Sequence, residues 1–192
     1  MEDTPKKNGL RYALIGIPIA IFIAFSFFFY VYATPEEVIA WIGVEDAYFL
    51  MGILGFLSGA MTFSGIPYHL ILISFSTGGL NPTLLAFAAA VGLAIGDSTS
   101  YFLGYHGSAI IPEQLRKILN RIRTIGERYP RMAPLIFFLY GALVPFSNDF
   151  IGITMGLARY SFWRIMIPLS LGTFVFNLGI AYFGIYIYEL FI

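Results

Sequence analysis

Cysteine is absent from all 192 residues of the chain. Its absence removes disulfide frameworks, redox dithiols and thiolate metal or iron–sulfur sites from consideration. Charge is scarce as well: Lys, Arg, Asp and Glu make up 11% of the residues, eleven of each sign, for a net charge of zero. A soluble domain usually carries about 25% charged residues, because water must meet its surface. The shortage is greatest over residues 47–96, fifty consecutive positions without Lys, Arg, Asp or Glu. Apolar character takes its place, with 58% hydrophobic and 18% aromatic residues and a mean hydropathy of +0.79. A spanning helix needs roughly 20 apolar residues. A soluble, cytoplasmic or secreted globular protein is therefore excluded, and the chain reads as one integral membrane domain.

Lys6, Lys7 and Arg11 precede an apolar run of 22 residues, 12–33. A cleaved signal has a core of roughly 7–15 residues and a small-x-small cleavage site. Neither fits, so residues 1–33 read as a cytoplasmic N-terminus and a retained first span. Residues 34–47 form an acidic interfacial connector. Its start, Thr34-Pro35-Glu36-Glu37, combines an N-cap hydroxyl, a first-turn proline and acids at the positive end of the helix dipole. Gly43 stops that helix, and Trp41 suits the headgroup level. Beyond it, the apolar run 48–75 is broken at 64–69, and residues 83–105 make a full span. Residues 113–128 form a basic amphipathic helix with Leu115, Ile118, Leu119, Ile122 and Ile125 on one face. The apolar run 132–157 is broken at 145–149, and a last span covers about 165–188.

Counting each broken run as one crossing puts residues 113–131, with six Lys/Arg against two Glu, on the side opposite the basic N-terminus. That arrangement violates the positive-inside rule. If both broken runs instead enter and leave on the same side, all eleven Lys/Arg face one compartment, and the acidic connector and Glu189 face the other. The expected fold is therefore all-α and polytopic, with three full spans, two opposed re-entrant helical hairpins and interfacial amphipathic helices. Its divisions are 1–33, 34–47, 48–105 (hairpin plus span), 106–131 (basic connector) and 132–192 (hairpin plus span), with the C-terminus outside.

The order of hairpin then span occurs twice, and the residues echo one another. Phe56-Leu57-Ser58-Gly59-Ala60-Met61 matches Phe138-Leu139-Tyr140-Gly141-Ala142-Leu143, and Gly92…Asp97…Gly104 matches Gly172…Asn177…Gly184 at the same spacing. The two halves would form an inverted repeat. Broken segments at matching places in such halves point to a midplane transport site.

Asp97 lies within a span, flanked by Ser98, Thr99 and Ser100. An acid there costs about 2.5–3.5 kcal/mol on insertion scales and normally faces a cavity or a partner. It reads either as a proton or cation carrier or as a buried acid bonded to Ser or Asn177. Asn148 and Asp149, beside Pro145 and Ser147 at the second tip, could bind a cation or headgroup amine, or cap the returning helix. At the first tip, with Gly65 and Pro67, His69 could join Asp97 and Asp149 around a metal, but a lone polar tip residue is the stronger reading. Ala88, Gly92, Gly96, Ser100 and Gly104 form a small-residue ridge suited to helix packing. The basic helix could attract anionic lipid or simply fix the topology.

These residues together resemble the DedA family, also called the VTT or SNARE-associated Golgi protein family, over about 48–184. The resemblance is carried by a Pro-containing first hairpin, by Gly96-Asp97 followed by Tyr101-Phe102-Leu103-Gly104, and by the amphipathic connector. It continues through Phe138…Pro145…Met155-Gly156 and the aromatic-basic joint from Tyr160 to Arg164. The resemblance implies two opposed hairpins and a role in lipid or lipid-phosphate translocation. Bacterial members are linked to polyprenyl-phosphate recycling and proton-motive-force dependence, and eukaryotic relatives to phospholipid scrambling. The chain departs from the family where an acid usually follows the first proline, having Tyr68-His69 there. It departs again where arginines usually flank the second, having Gly141-Ala142 and Asn148-Asp149. The expected function is a flippase or scramblase working between the hairpin tips, with membrane lipids and protons as partners. The alternatives are a small-solute or ion transporter and a non-transporting membrane-organising protein. An enzyme, a cofactor and a nucleic-acid partner are not expected; self-association stays open.

Overall fold

The computed structural model describes residues 35–60, 68–108, 112–144 and 147–191. The expected first span and the tip residues Gly65, Pro67 and Pro145 lie outside the described residues. All regular structure among those described is helical: α1 (Pro35–Ile42), α2 (Val44–Ala60), α3 (Tyr68–Thr77), α4 (Pro82–Gly107), α5 (Glu113–Arg128), α6 (Met132–Leu143), α7 (Asp149–Leu157) and α8 (Phe162–Phe191).

Local chemistry sets several of these boundaries. Gly43 ends α1 at φ +95°, backbone that glycine adopts without a Cβ penalty. Glu45 and Asp46 open α2, where acids suit the positive end of the dipole. Asn81 caps α4, its Oδ1 accepting from the N–H groups of Thr83 at 2.9 Å and Leu84 at 3.2 Å, with Pro82 in the first turn.

Helices α4 and α8 are each long and apolar enough to cross a membrane. Helices α3, α6 and α7 have 10, 12 and 9 residues. At 1.5 Å per residue they reach only about 15, 18 and 14 Å, against a hydrocarbon core of about 30 Å.

Glycine lets two helix pairs approach backbone to backbone. α2 lies along α4, where a Cβ on Gly96 would strike the carbonyl of Phe56 and the amide of Ala60, and one on Gly59 the carbonyl of Leu93 and the amide of Asp97. α6 lies along α8, where Gly172 faces the carbonyl of Phe138 and the amide of Ala142, and Gly141 the carbonyl of Leu169 and the amide of Thr173. The two contacts share one scheme. Phe56, Gly59 and Ala60 take the places of Phe138, Gly141 and Ala142; Leu93, Gly96 and Asp97 take those of Leu169, Gly172 and Thr173. This register is one helical turn away from the sequence match of Gly92 with Gly172. It makes Thr173, rather than Asn177, the counterpart of Asp97.

The short helices α7 and α3 each pack on a long helix distant from them in the chain. α7 packs on α4, with Gly156 against the carbonyl of Tyr101 and Gly104 against that of Ile153; α3 packs on α8, with Gly184 against Ile73. Two apolar clusters result, one around Met51, Leu72, Phe75 and Leu85, the other around Tyr101, Phe137, Tyr160 and Ile165. Phe87, Val91 and Ile95 on α4 and Ile167, Leu171 and Val175 on α8 are exposed at four-residue spacing, forming apolar outer faces on both long helices.

Candidate functional site

A polar cluster is buried between the two apolar clusters. Asp97 is 4% exposed, Asp149 2% and Asn177 0%. The Asn148 amide donates to Asp97 Oδ2 at 2.8 Å and to Thr173 Oγ1 at 3.0 Å. The Thr173 hydroxyl spends its own proton on the Leu169 carbonyl at 3.0 Å, leaving its oxygen to accept. One amide at the head of α7 thus bridges the two positions that the packing scheme makes equivalent.

Asp149 accepts from Ser100 Oγ at 2.5 Å and from Ser147 Oγ at 2.6 Å, and its own N–H donates to Ser147 Oγ at 3.3 Å. No backbone N–H of α7 donates to the side chain of Asn148 or Asp149, so the capping alternative for these two residues is set aside. Asn148 already has helical backbone, φ −66° and ψ −19°. That directs its side chain towards Asp97 and Thr173 instead of back onto its own helix.

Helix α3 has a corresponding junction with α8. Tyr68 OH donates to Asn177 Oδ1 at 3.1 Å. Asn177 Nδ2 and His69 Nε2 are buried without a hydrogen-bond partner among the described residues. The His69 ring packs at 3.8 Å from the Tyr68 ring and 5.8 Å from that of Phe176. In the shared register Phe176 stands where Ser100 stands in the other half, so His69 meets Phe176 as Asp149 meets Ser100. His69 does not join Asp97 and Asp149; no three metal-ligating side chains come together among the described residues.

Two ion pairs, Arg116–Glu113 at 3.7 Å and Arg123–Glu127 at 2.8 Å, lie within α5. Neither Asp97 nor Asp149 pairs with a cation among the described residues. Among the described residues, each is held by neutral amide and hydroxyl groups. The small-residue ridge divides between two partners: Ala88, Gly92 and Gly96 face α2, whereas Ser100 and Gly104 face α7.

Between α4 and α8 runs an outward groove of about 550 Å³, lined by Phe87, Val91, Ile95, Trp163, Ile167 and Leu171 among others. Among the described residues that line it, Ser98, next to Asp97 in the chain, and Ser170 alone carry hydroxyls.

Sequence reasoning missed the roles of Thr173 and Tyr68. The signal for Thr173 was present in the paired dipeptides Gly96-Asp97 and Gly172-Thr173. No family model, curated protein or solved structure matches this chain.

Proposed function

We propose that the chain is a multi-pass membrane protein that moves a lipid or lipid phosphate between leaflets, with Asp97 linking that movement to protons. The proposed topology has three spans and two re-entrant hairpins inserted from opposite faces. The N-terminus is cytoplasmic and the C-terminus outside, as resemblance to the DedA family implies. Charge parity, the short lengths of α3, α6 and α7, and the repeated glycine scheme all support it.

The observation that carries the functional reading is the Asn148 bridge between Asp97 on α4 and Thr173 on α8. It joins two long helices at equivalent positions through the head of a short arm, the arrangement in which inverted-repeat transporters build midplane sites. The apolar groove beside it gives lipid chains a lateral path while a headgroup reaches polar partners. Protonation of Asp97 replaces a charge-assisted acceptor with a neutral one, weakening its bond to Asn148. Proton binding and the position of α7 are thereby coupled.

The test is translocation of labelled phospholipid and polyprenyl-phosphate in proteoliposomes, with and without a pH gradient, for the native chain and Asp97→Asn. The proposal expects movement that the gradient speeds and the substitution abolishes. Movement indifferent to both would leave a scramblase in which Asp97 only packs. No movement of either lipid would overturn lipid transport.

A further inference from the structure

α7 ends in a turn of the Schellman type: the Tyr160 N–H donates to the Met155 carbonyl at 3.0 Å and the Arg159 N–H to that of Gly156 at 2.9 Å. The residue in the left-handed place is Arg159, at φ +51°, the one non-glycine residue with positive φ among the described residues. That place favours glycine, yet an arginine holds it with its side chain fixed. Its Nε donates to Ser108 Oγ at 2.8 Å, and its guanidinium lies 5.1 Å from the centre of the Tyr105 ring. A guanidinium has five N–H donors, so four remain beyond the Ser108 bond.

Arg159 lines a polar cavity of about 290 Å³ where the ends of α4 and α7 meet α5, together with Arg116, Asn120, Arg123 and Ser108. The acids nearest these arginines are Glu113, 3.7 Å from Arg116, and Glu127, 2.8 Å from Arg123. Both pairs are exposed and internal to α5, and such pairs hold weakly. Arg159 has no acid partner among the described residues. Three guanidinium groups from two elements, with an amide and a hydroxyl between them, match the several oxygens and negative charge of a phosphate.

We propose that this cavity binds a phosphate group, presented either as the headgroup of an anionic lipid or as free phosphate. The proposal is independent of lipid movement and stands whether or not the transport reading does.

Arg159→Gly is the informative variant, because glycine removes the guanidinium while suiting the left-handed backbone. The full chain in neutral detergent micelles would be titrated calorimetrically with inorganic phosphate and with short-chain phosphatidic acid. Saturable binding of a probe is expected, weakened about tenfold or more in Arg159→Gly and in the double variant Arg116→Gln/Arg123→Gln. The double variant leaves the α7 turn untouched. Lys117→Gln/Arg121→Gln, which removes equal charge outside the cavity, is expected to bind as the native chain does. Binding of both probes would assign the site to free phosphate as well as lipid; binding of phosphatidic acid alone would assign it to the membrane headgroup. Failure of both probes to saturate, or an equal loss in Lys117→Gln/Arg121→Gln, would overturn the site.

Discussion

Replacing Asn148 with Ala takes a donor from two acceptors at once, Asp97 Oδ2 and Thr173 Oγ1. Asp97 and Thr173 are both buried, so the expected loss is about 1–3 kcal/mol, read as a lower denaturant midpoint in micelles. Asn148→Asp, nearly the same shape, is expected to lose more, because it sets a third acid beside Asp97 and Asp149. Thr173→Val should fall short of either, since the amide keeps its bond to Asp97. These residues also mark what a sequence can disclose. An acid inside a span is costly, so Asp97 stands out in an apolar run. A threonine or tyrosine costs little there, so Thr173 and Tyr68 left no comparable mark, although each closes a buried hydrogen bond.

Among the helices, glycine decides which faces touch. Gly172→Ala would put a methyl against the Phe138 carbonyl and Ala142 amide. Those are backbone atoms that cannot swing aside, so α6 and α8 must part. The expected cost is about 1–3 kcal/mol, seen as a lower unfolding temperature. Gly179→Ala, seven residues further along α8, has nothing within 4 Å to meet, and should be neutral or gain up to about 1 kcal/mol from helix propensity. Comparable losses in both variants would refute the packing scheme. Helix positions themselves were readable: α5 covers the stretch its apolar spacing indicated, and α1 stops at its glycine. The repeat register was not, because Gly92 and Gly96 stand one turn apart and either satisfies the pattern. Both meet α2 backbone, Gly92 at Gly52 and Phe56 and Gly96 at Phe56 and Ala60, and only the partners of Gly96 match the Phe138 and Ala142 that Gly172 meets.

For the molecule as a whole, the lack of cysteine makes the native chain its own background for single-cysteine labelling. With an impermeant maleimide added outside, the proposed topology expects Ala40→Cys and Gly78→Cys to react, and Arg121→Cys to react only after permeabilisation. Labelling of Gly78→Cys solely after permeabilisation would mean that the first broken run crosses the membrane, and the hairpin scheme would fail. The exchange of short arms bears on synthesis too. Asp149 stands 49 residues after the Ser100 that bonds it, and Asn148 stands 51 after Asp97. At about 5–20 residues per second, α4 waits about 2–10 s on the ribosome before α7 is made. Through that interval its acid has no Asn148 to hold it, so the surroundings of Asp97 are complete only when α7 arrives.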